Sequence, residues 1–239
     1  MVRSIIRHNN NHVSDITKTI TREELAQLAV RRYEGTVCVV SSDHDLEQAR
    51  HDIRRETVVG LDTETKPTFH VGQFHLPSLV QIATSHAVYL FQLKQMEFSD
   101  ALAEVLENSR LIKAGIALAD DFWALKKVFP FIPKKIVDLG VVARQHGIKQ
   151  SGVRSLAGMF LGFRITKGAQ TSNWSSPQLS PNQILYAATD AWTCRELFLR
   201  FQQLGFLDQE GHTLPRRDSA LLTEKCPHSS KPDILDPPR

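Results

Sequence analysis

The run Val58-Val59-Gly60-Leu61-Asp62-Thr63-Glu64-Thr65 constrains this chain more than any other segment. It begins apolar and β-branched, as a buried strand does, yet it ends in two carboxylates two residues apart. Residues i and i+2 of a strand share one face. Asp62 and Glu64 are therefore expected to point the same way, at the end of a core strand.

A second acidic motif lies far downstream, in Tyr186-Ala187-Ala188-Thr189-Asp190. The surrounding pattern is helical, and residues i and i+4 of a helix share a face. Tyr186 and Asp190 are thus expected to converge. Carboxylates brought together repel one another strongly unless cations sit among them. Hard oxygen donors suit magnesium or manganese rather than zinc. Between the two motifs, Lys113-Ala114-Gly115-Ile116-Ala117-Leu118-Ala119-Asp120-Asp121-Phe122-Trp123 supplies further acids where a strand feeds a helix.

The rest of the chain reads as a mixed sheet flanked by helices. Thr21-Arg22-Glu23-Glu24 is a capping box opening a helix expected to end near Gly35. Strands are expected at 36–40, 57–62, 78–84, 87–92, 110–114 and 136–137, and helices at 43–55, 98–108, 120–128, 139–146 and 152–161. The last helix has Ser180 as cap, Pro181 at its first position and Gln183 three residues on, and should stop at Gly205. His70 and His75 fall in a proline-bounded loop without ligand spacing and read as surface residues. Residues 1–20 are polar and read as a disordered arm, and 207–239 are proline-rich, without periodicity, and read as a disordered tail. That leaves residues 21–206 as one domain.

Composition narrows the class. An apolar fraction of 41% supports a globular core. No apolar run approaches the ~20 residues of a membrane helix, so we expect a soluble protein without membrane association. Cys38, Cys194 and Cys226 are odd in number and far apart, with no zinc spacing. A reducing cytoplasm is the expected compartment. Net charge is only +3, but Leu139 through Thr189 contain no acid, while Arg144, Lys149, Arg154, Arg164 and Lys167 all fall there. A basic stretch beside a carboxylate cluster suits a polyanion; a solvated face that happens to lack acids is the plain alternative.

The order Asp-x-Glu, Gly-x5-Asp, Tyr-x3-Asp resembles the DEDDy branch of the 3′→5′ exonucleases, which includes ribonuclease D and the Werner helicase exonuclease domain. The resemblance covers about residues 35–205 and includes Thr171-Ser172-Asn173-Trp174. It implies a ribonuclease-H-like α/β fold and a two-ion Mg2+ or Mn2+ centre. It also implies 3′→5′ hydrolysis of nucleic acid to nucleoside 5′-monophosphates. In that scheme Asp62, Glu64, Asp121 and Asp190 hold the metal, with Asp62 shared between the ions. Counting from Gly115 selects Asp121 over Asp120. Tyr186 marks the branch, because the sister branch has a His where this chain has Leu185. A phenol with an ordinary pKa of ~10 is a poor base, so Tyr186 is expected to orient the attacking water. Substrate contacts are expected from Thr63, Trp123 and Lys167, while Trp174 reads as a packing residue. The Ser-Asn-Trp segment leans towards DNA. A ribonuclease-D-like RNA trimming enzyme and a non-catalytic nucleic-acid-binding module are the alternatives; neither strandedness nor protein partners are legible.

Overall fold

The computed structural model describes residues 19–68, 72–94 and 97–215. Its centre is a six-stranded sheet in the order β1-β4-β3-β2-β5-β6. The strands are β1 Thr36–Val39, β2 Val58–Thr65, β3 Pro77–Ala83, β4 Ala87–Gln92, β5 Ile112–Gly115 and β6 Ile136–Asp138. β2, β3 and β4 form an antiparallel meander, and β1, β5 and β6 each pair parallel with their neighbours. Every residue of β3 and β4 is buried, because helices cover both faces of the sheet. The helices are α1 Arg22–Gln27, α2 Asp43–Arg54, α3 Ser99–Glu107, α4 Leu118–Leu125, α5 Leu139–Gln145, α6 Val153–Leu156 and α7 Pro181–Gln203. A π-helical turn, Ala157–Leu161, continues α6 directly. Among the described residues no helix is long and apolar enough to cross a membrane.

Local chemistry accounts for most helix ends. Ser180 accepts from the Gln183 amide while Gln183 reaches back to the Ser180 amide, the reciprocal cap expected from the sequence. Thr21 and Glu24 do the same for α1, and Ser42 caps α2. α4 is different. It starts at Leu118, two residues before the expected Asp120, and the residue before it, Ala117, has a left-handed φ of 60°. A non-glycine residue there carries roughly 1–2 kcal/mol of strain. Asp138 takes over the capping role from a distance: its Oδ2 accepts from the Leu118 amide at 3.2 Å and its Oδ1 from the Val141 amide at 3.1 Å. One carboxylate thus anchors the starts of α4 and α5.

The end of α1, the end of the domain and the burial of His75 also depart from the sequence expectation. α1 ends at Gln27 rather than near Gly35, because residues 29–31 run extended and bond the backbone of Arg164 instead. The domain does not end at 206. Leu207 is buried and bridged to Thr213, and the Leu214 amide donates to the Phe206 carbonyl. Residues 207–215 therefore belong to the fold, held by the buried Leu207 and by these backbone bonds. His75 is half-buried rather than on the surface, and its Nε2 has no partner among the described residues. Residues 1–18 and 216–239, His70 and Cys226 lie outside the described residues.

α7 lies across the middle of the sheet. A Cβ added at Gly60 would meet the Ala191 carbonyl oxygen at 1.9 Å and the Arg195 amide at 2.9 Å. Only glycine permits β2 and α7 to approach this closely. Ala187, Ala188 and Ala191, all fully buried, keep the rest of that contact thin. One turn beyond Ala191, α7 is tied down by an ion pair between Arg195 and Glu56 at 3.4 Å, both largely buried.

Candidate active site

Close approach of β2 and α7 places three carboxylates together. Asp62 and Glu64 lie on the α7 side of β2, and Asp190 faces them from the helix. One oxygen from each lies within 4.8 Å of the other two. Asp190 is buried and the other two half-buried. A set of three carboxylate oxygens at this spacing matches the hard-donor preference of magnesium or manganese.

Asp121 comes from the first turn of α4, and its Oδ1 accepts from the Thr63 hydroxyl at 2.9 Å. Thr63 lies between Asp62 and Glu64 on β2 with its side chain on the opposite face. One strand therefore carries two acids of the cluster and the residue that bonds Asp121. Asp120, next in sequence, is exposed. Asp121, the residue that the count from Gly115 points to, is the half-buried one of the two.

Burial and mutual repulsion disfavour the charged forms of these carboxylates. Burial, then the Asp190 and Asp121 charges, push the Asp62 carboxyl well above its ordinary range. Burial, then Asp62 and Asp190, raise Glu64 to about 10. Burial raises Asp121 to about 6, against the lowering effect of the Thr63 bond. Burial likewise raises Asp190 to about 6, opposed by its hydrogen bond from Tyr186 and by Arg154. The Tyr186 phenol is raised by burial, then by the Asp190 charge and their hydrogen bond. It remains a hydrogen-bond donor at neutral pH. The helix spacing that predicted convergence of Tyr186 and Asp190 is realised as this bond.

Of the residues expected to meet substrate, Thr63 bonds Asp121, while Trp123 and Lys167 are exposed. Trp123 is exposed at 59%, so it is no core residue. It meets Phe74, itself exposed, edge to face at 5.5 Å, and Lys127 Nζ stands 3.3 Å from the Trp123 ring centroid and 4.5 Å from that of Phe74. Lys167 is exposed, and its chain neighbours Thr166 and Gly168 line a cleft of about 150 Å³ together with Tyr186 and Asp190. Trp174 is buried and packs 6.0 Å from the Tyr186 ring, which supports the phenol from behind.

Sequence reasoning missed three contributors. Asp138 reads as a short strand's end, and only the fold shows it anchoring α4. Phe74 lies in a loop with no periodicity. Gln81 reads as one polar residue in an apolar strand, but it stands directly across from Asp62 in the β2–β3 register. It is fully buried, and neither end of its amide has a partner among the described residues. A polar residue inside the otherwise apolar run Leu79–Ala83 was the available signal.

Comparison with known proteins gives a consistent result. A family described as 3′-5′ exonuclease matches residues 37–205. The bifunctional 3′-5′ exonuclease/ATP-dependent helicase WRN of Mus musculus is 32% identical over 184 residues, which are 74% of this chain and 13% of that protein. Ribonuclease D of Haemophilus influenzae is 29% identical over 164 residues, covering 67% of this chain and 40% of that one. The chain thus spans less than half the length of either relative. Among solved structures, the Aedes aegypti Nibbler EXO domain superposes with a TM-score of 0.65 at 24% identity, covering 74% of this chain and 91% of that one. Escherichia coli RNase D superposes with a TM-score of 0.63 at 21% identity, covering 73% and 48%. These similarities show that the mixed sheet is the ribonuclease-H-like exonuclease fold.

Proposed function

Because this chain belongs to the 3′-5′ exonuclease family, we propose that it removes nucleotides from the 3′ end of a nucleic acid strand, with DNA favoured, releasing nucleoside 5′-monophosphates. The observation that carries this reading is the convergence of Asp62, Glu64 and Asp190 within 4.8 Å, with Asp121 alongside. Asp62, Glu64 and Asp190 would hold one divalent ion, and Asp121 with Asp62 a second. When bound, such a pair neutralises charge on the phosphate and makes a nucleophile available at neutral pH.

The chain's own residues do the rest. Glu64 and Asp190 face the attacking side, and Tyr186 reaches the same place from the helix. Its phenol stays protonated at neutral pH, so it orients the water through hydrogen bonds and does not take its proton. Thr63 holds Asp121 on the leaving-group side. Trp123 and Phe74 offer exposed ring surface for a terminal base, and stacking of this kind contributes ~1–3 kcal/mol per base. Lys127 beside both rings and the exposed Lys167 bring positive charge to the phosphate backbone.

DNA is favoured on the Ser172-Asn173-Trp174 segment and on the slightly higher identity to WRN than to ribonuclease D. The test is purified protein with Mg2+ or Mn2+ on matched 5′-labelled DNA and RNA strands, single and duplex. A ladder shortening from the 3′ end, faster on DNA and silent in chelator, is expected. Faster shortening of RNA would move the substrate to the ribonuclease-D side. Cleavage undiminished in verified metal-free buffer would overturn the two-ion mechanism, and strand binding without cleavage would leave a binding module.

A further inference from the structure

We propose that the segment preceding β1 gives this chain a phosphate subsite in the cleft beside Tyr186 and Asp190, with Arg32 as its cation. The inference rests on the exonuclease reading and deepens it. Arg32 lies before residues 37–205, so the family match does not assign it.

The cleft has two walls. One is the face of α7 that carries Asn182, Tyr186, Thr189 and Asp190, spaced three, four and seven residues apart as one helical stripe requires. Arg32 and Thr166 stand among the residues that complete the lining. Its volume of about 150 Å³ is several times the ~30 Å³ share of one water, enough for a tetrahedral anion.

Arg32 is held by a pinned backbone. On its N-terminal side, the Arg31 amide donates to the Arg164 carbonyl at 3.0 Å, and the Arg164 amide donates to the Ala29 carbonyl at 3.0 Å. Arg164 Nε also donates to the Leu28 carbonyl at 3.0 Å. On its C-terminal side, the Tyr33 amide donates to Thr189 Oγ1 at 3.1 Å, and the Tyr33 ring lies 6.0 Å from Trp192. The backbone is thus fastened on both sides of Arg32.

The guanidinium itself is not engaged. Arg164 bonds a carbonyl and Arg195 an acid, whereas Arg32 makes no hydrogen bond or ion pair with the described residues. It borders the same cleft as Asp190 without pairing with it. Once divalent ions offset the acids, Arg32 is an exposed, unpaired positive charge lining this cleft, beside the Arg154 charge already felt by Asp190, and the Thr166 hydroxyl and Asn182 amide add neutral donors. A planar guanidinium on an anchored backbone is suited to two oxygens of one phosphate. The ligand class is a nucleotide phosphate, belonging either to the strand's backbone or to a released nucleoside 5′-monophosphate.

The experiment uses the full chain in Ca2+, which is expected to bind while supporting little turnover. Fluorescence anisotropy of a labelled single DNA strand is followed across a salt series for the parent, Arg32→Gln, Arg32→Lys and Arg110→Gln. Arg110 is an exposed arginine preceding β5 and serves as the charge-matched control. Arg32→Gln should weaken binding about tenfold, as loss of a charged hydrogen bond does. It should also flatten the log–log salt slope by about 0.7, the signature of one lost phosphate contact on a single strand. Arg32→Lys should keep the slope but not the affinity, and Arg110→Gln should change neither. Competition with free nucleoside monophosphate separates the two sources. A weaker competitor against Arg32→Gln assigns the terminal phosphate, and an unchanged one assigns the backbone. Parental affinity and slope in Arg32→Gln would overturn the subsite alone. A parent that binds no strand at all would bring down the exonuclease reading and the subsite together.

Discussion

The two faces of the sheet solve opposite problems. On one, Val59, Leu61, Val80, Ile82, Tyr89 and Phe91 meet Phe98, Leu102, Leu106, Phe122 and Leu125, all buried and almost entirely apolar. On the other, Gly60, Asp62, Glu64, Gln81 and Ala83 meet Ala187, Ala188 and Ala191 of α7. Large side chains keep α2, α3 and α4 at a distance and fill the gap with hydrocarbon. Small ones let α7 come so near that Gly60 has no room for a Cβ. A carboxylate is short, so Asp190 reaches Asp62 only because that separation is small. The first face supplies stability; the second gives some of it up to crowd acids together.

Opposite outcomes from adjacent substitutions on β2 would be the sharpest test. Asp62→Asn should abolish turnover while raising the stability of the metal-free protein, because a mutually repelling acid is gone. Leu61→Ala, one residue away on the other face, should cost ~2–5 kcal/mol of stability while the folded fraction remains active. Thermal unfolding and initial rates on both proteins decide it, and an Asp62→Asn protein less stable than its parent would break the contrast.

The same logic has a pH signature. Glu64 is raised to about 10 and Asp121 and Asp190 to about 6 in the folded, metal-free chain. Between the ordinary carboxylate range and those values the folded state holds more protons than the unfolded one. Metal-free stability should therefore be greatest below about pH 4 as far as these groups decide it. It should fall as pH rises through 6 and on towards 10. Manganese should remove the slope and bind more tightly as pH rises, since binding displaces protons. A metal-free stability that rises from pH 6 to 9 would contradict the arrangement.

Smaller effects probe the supports. Tyr186→Phe should lower single-turnover rate by ~10²-fold, within the range for a positioned proton-transfer group, with Mn2+ affinity and folding little changed. A parental rate would reduce the hydroxyl to packing. Thr63→Val should cost ~10-fold, the lower end for a residue orienting a metal ligand, and its effect should vanish in an Asp121→Asn background. Independent losses in that double-mutant cycle would separate the two residues. The smallest change is Gln81→Leu, which should stabilise the metal-free protein by ~1 kcal/mol, since its buried amide loses no bond. Destabilisation of similar size would show the amide to be engaged.

Much of this was legible in the sequence where geometry is local. Asp62 and Glu64 share a face because a strand repeats every two residues, and Tyr186 bonds Asp190 because a helix nearly repeats every four. Ser180 with Gln183, and Thr21 with Glu24, cap their helices through side chains three residues apart. Most strands were read within two residues of their bounds, since apolar β-branched runs between turn residues carry the signal, but β2 runs three residues past the expected end at 62.

Interactions between distant segments were not legible in this way. Thr63 and Asp121 are 58 residues apart, and Leu118 and Asp138 are 20 apart. The residues after α1 leave the helical pattern to bond Arg164, and 207–215 fold back despite a composition that reads as tail. Gln81 lies opposite Asp62 only through strand register. The sequence by itself determined which acids share a face and where most elements begin, because bond geometry and hydrogen bonds between near neighbours set those. Which faces meet, and how closely, was decided by the tertiary structure, because burying apolar surface on both sides of the sheet sets register and spacing together.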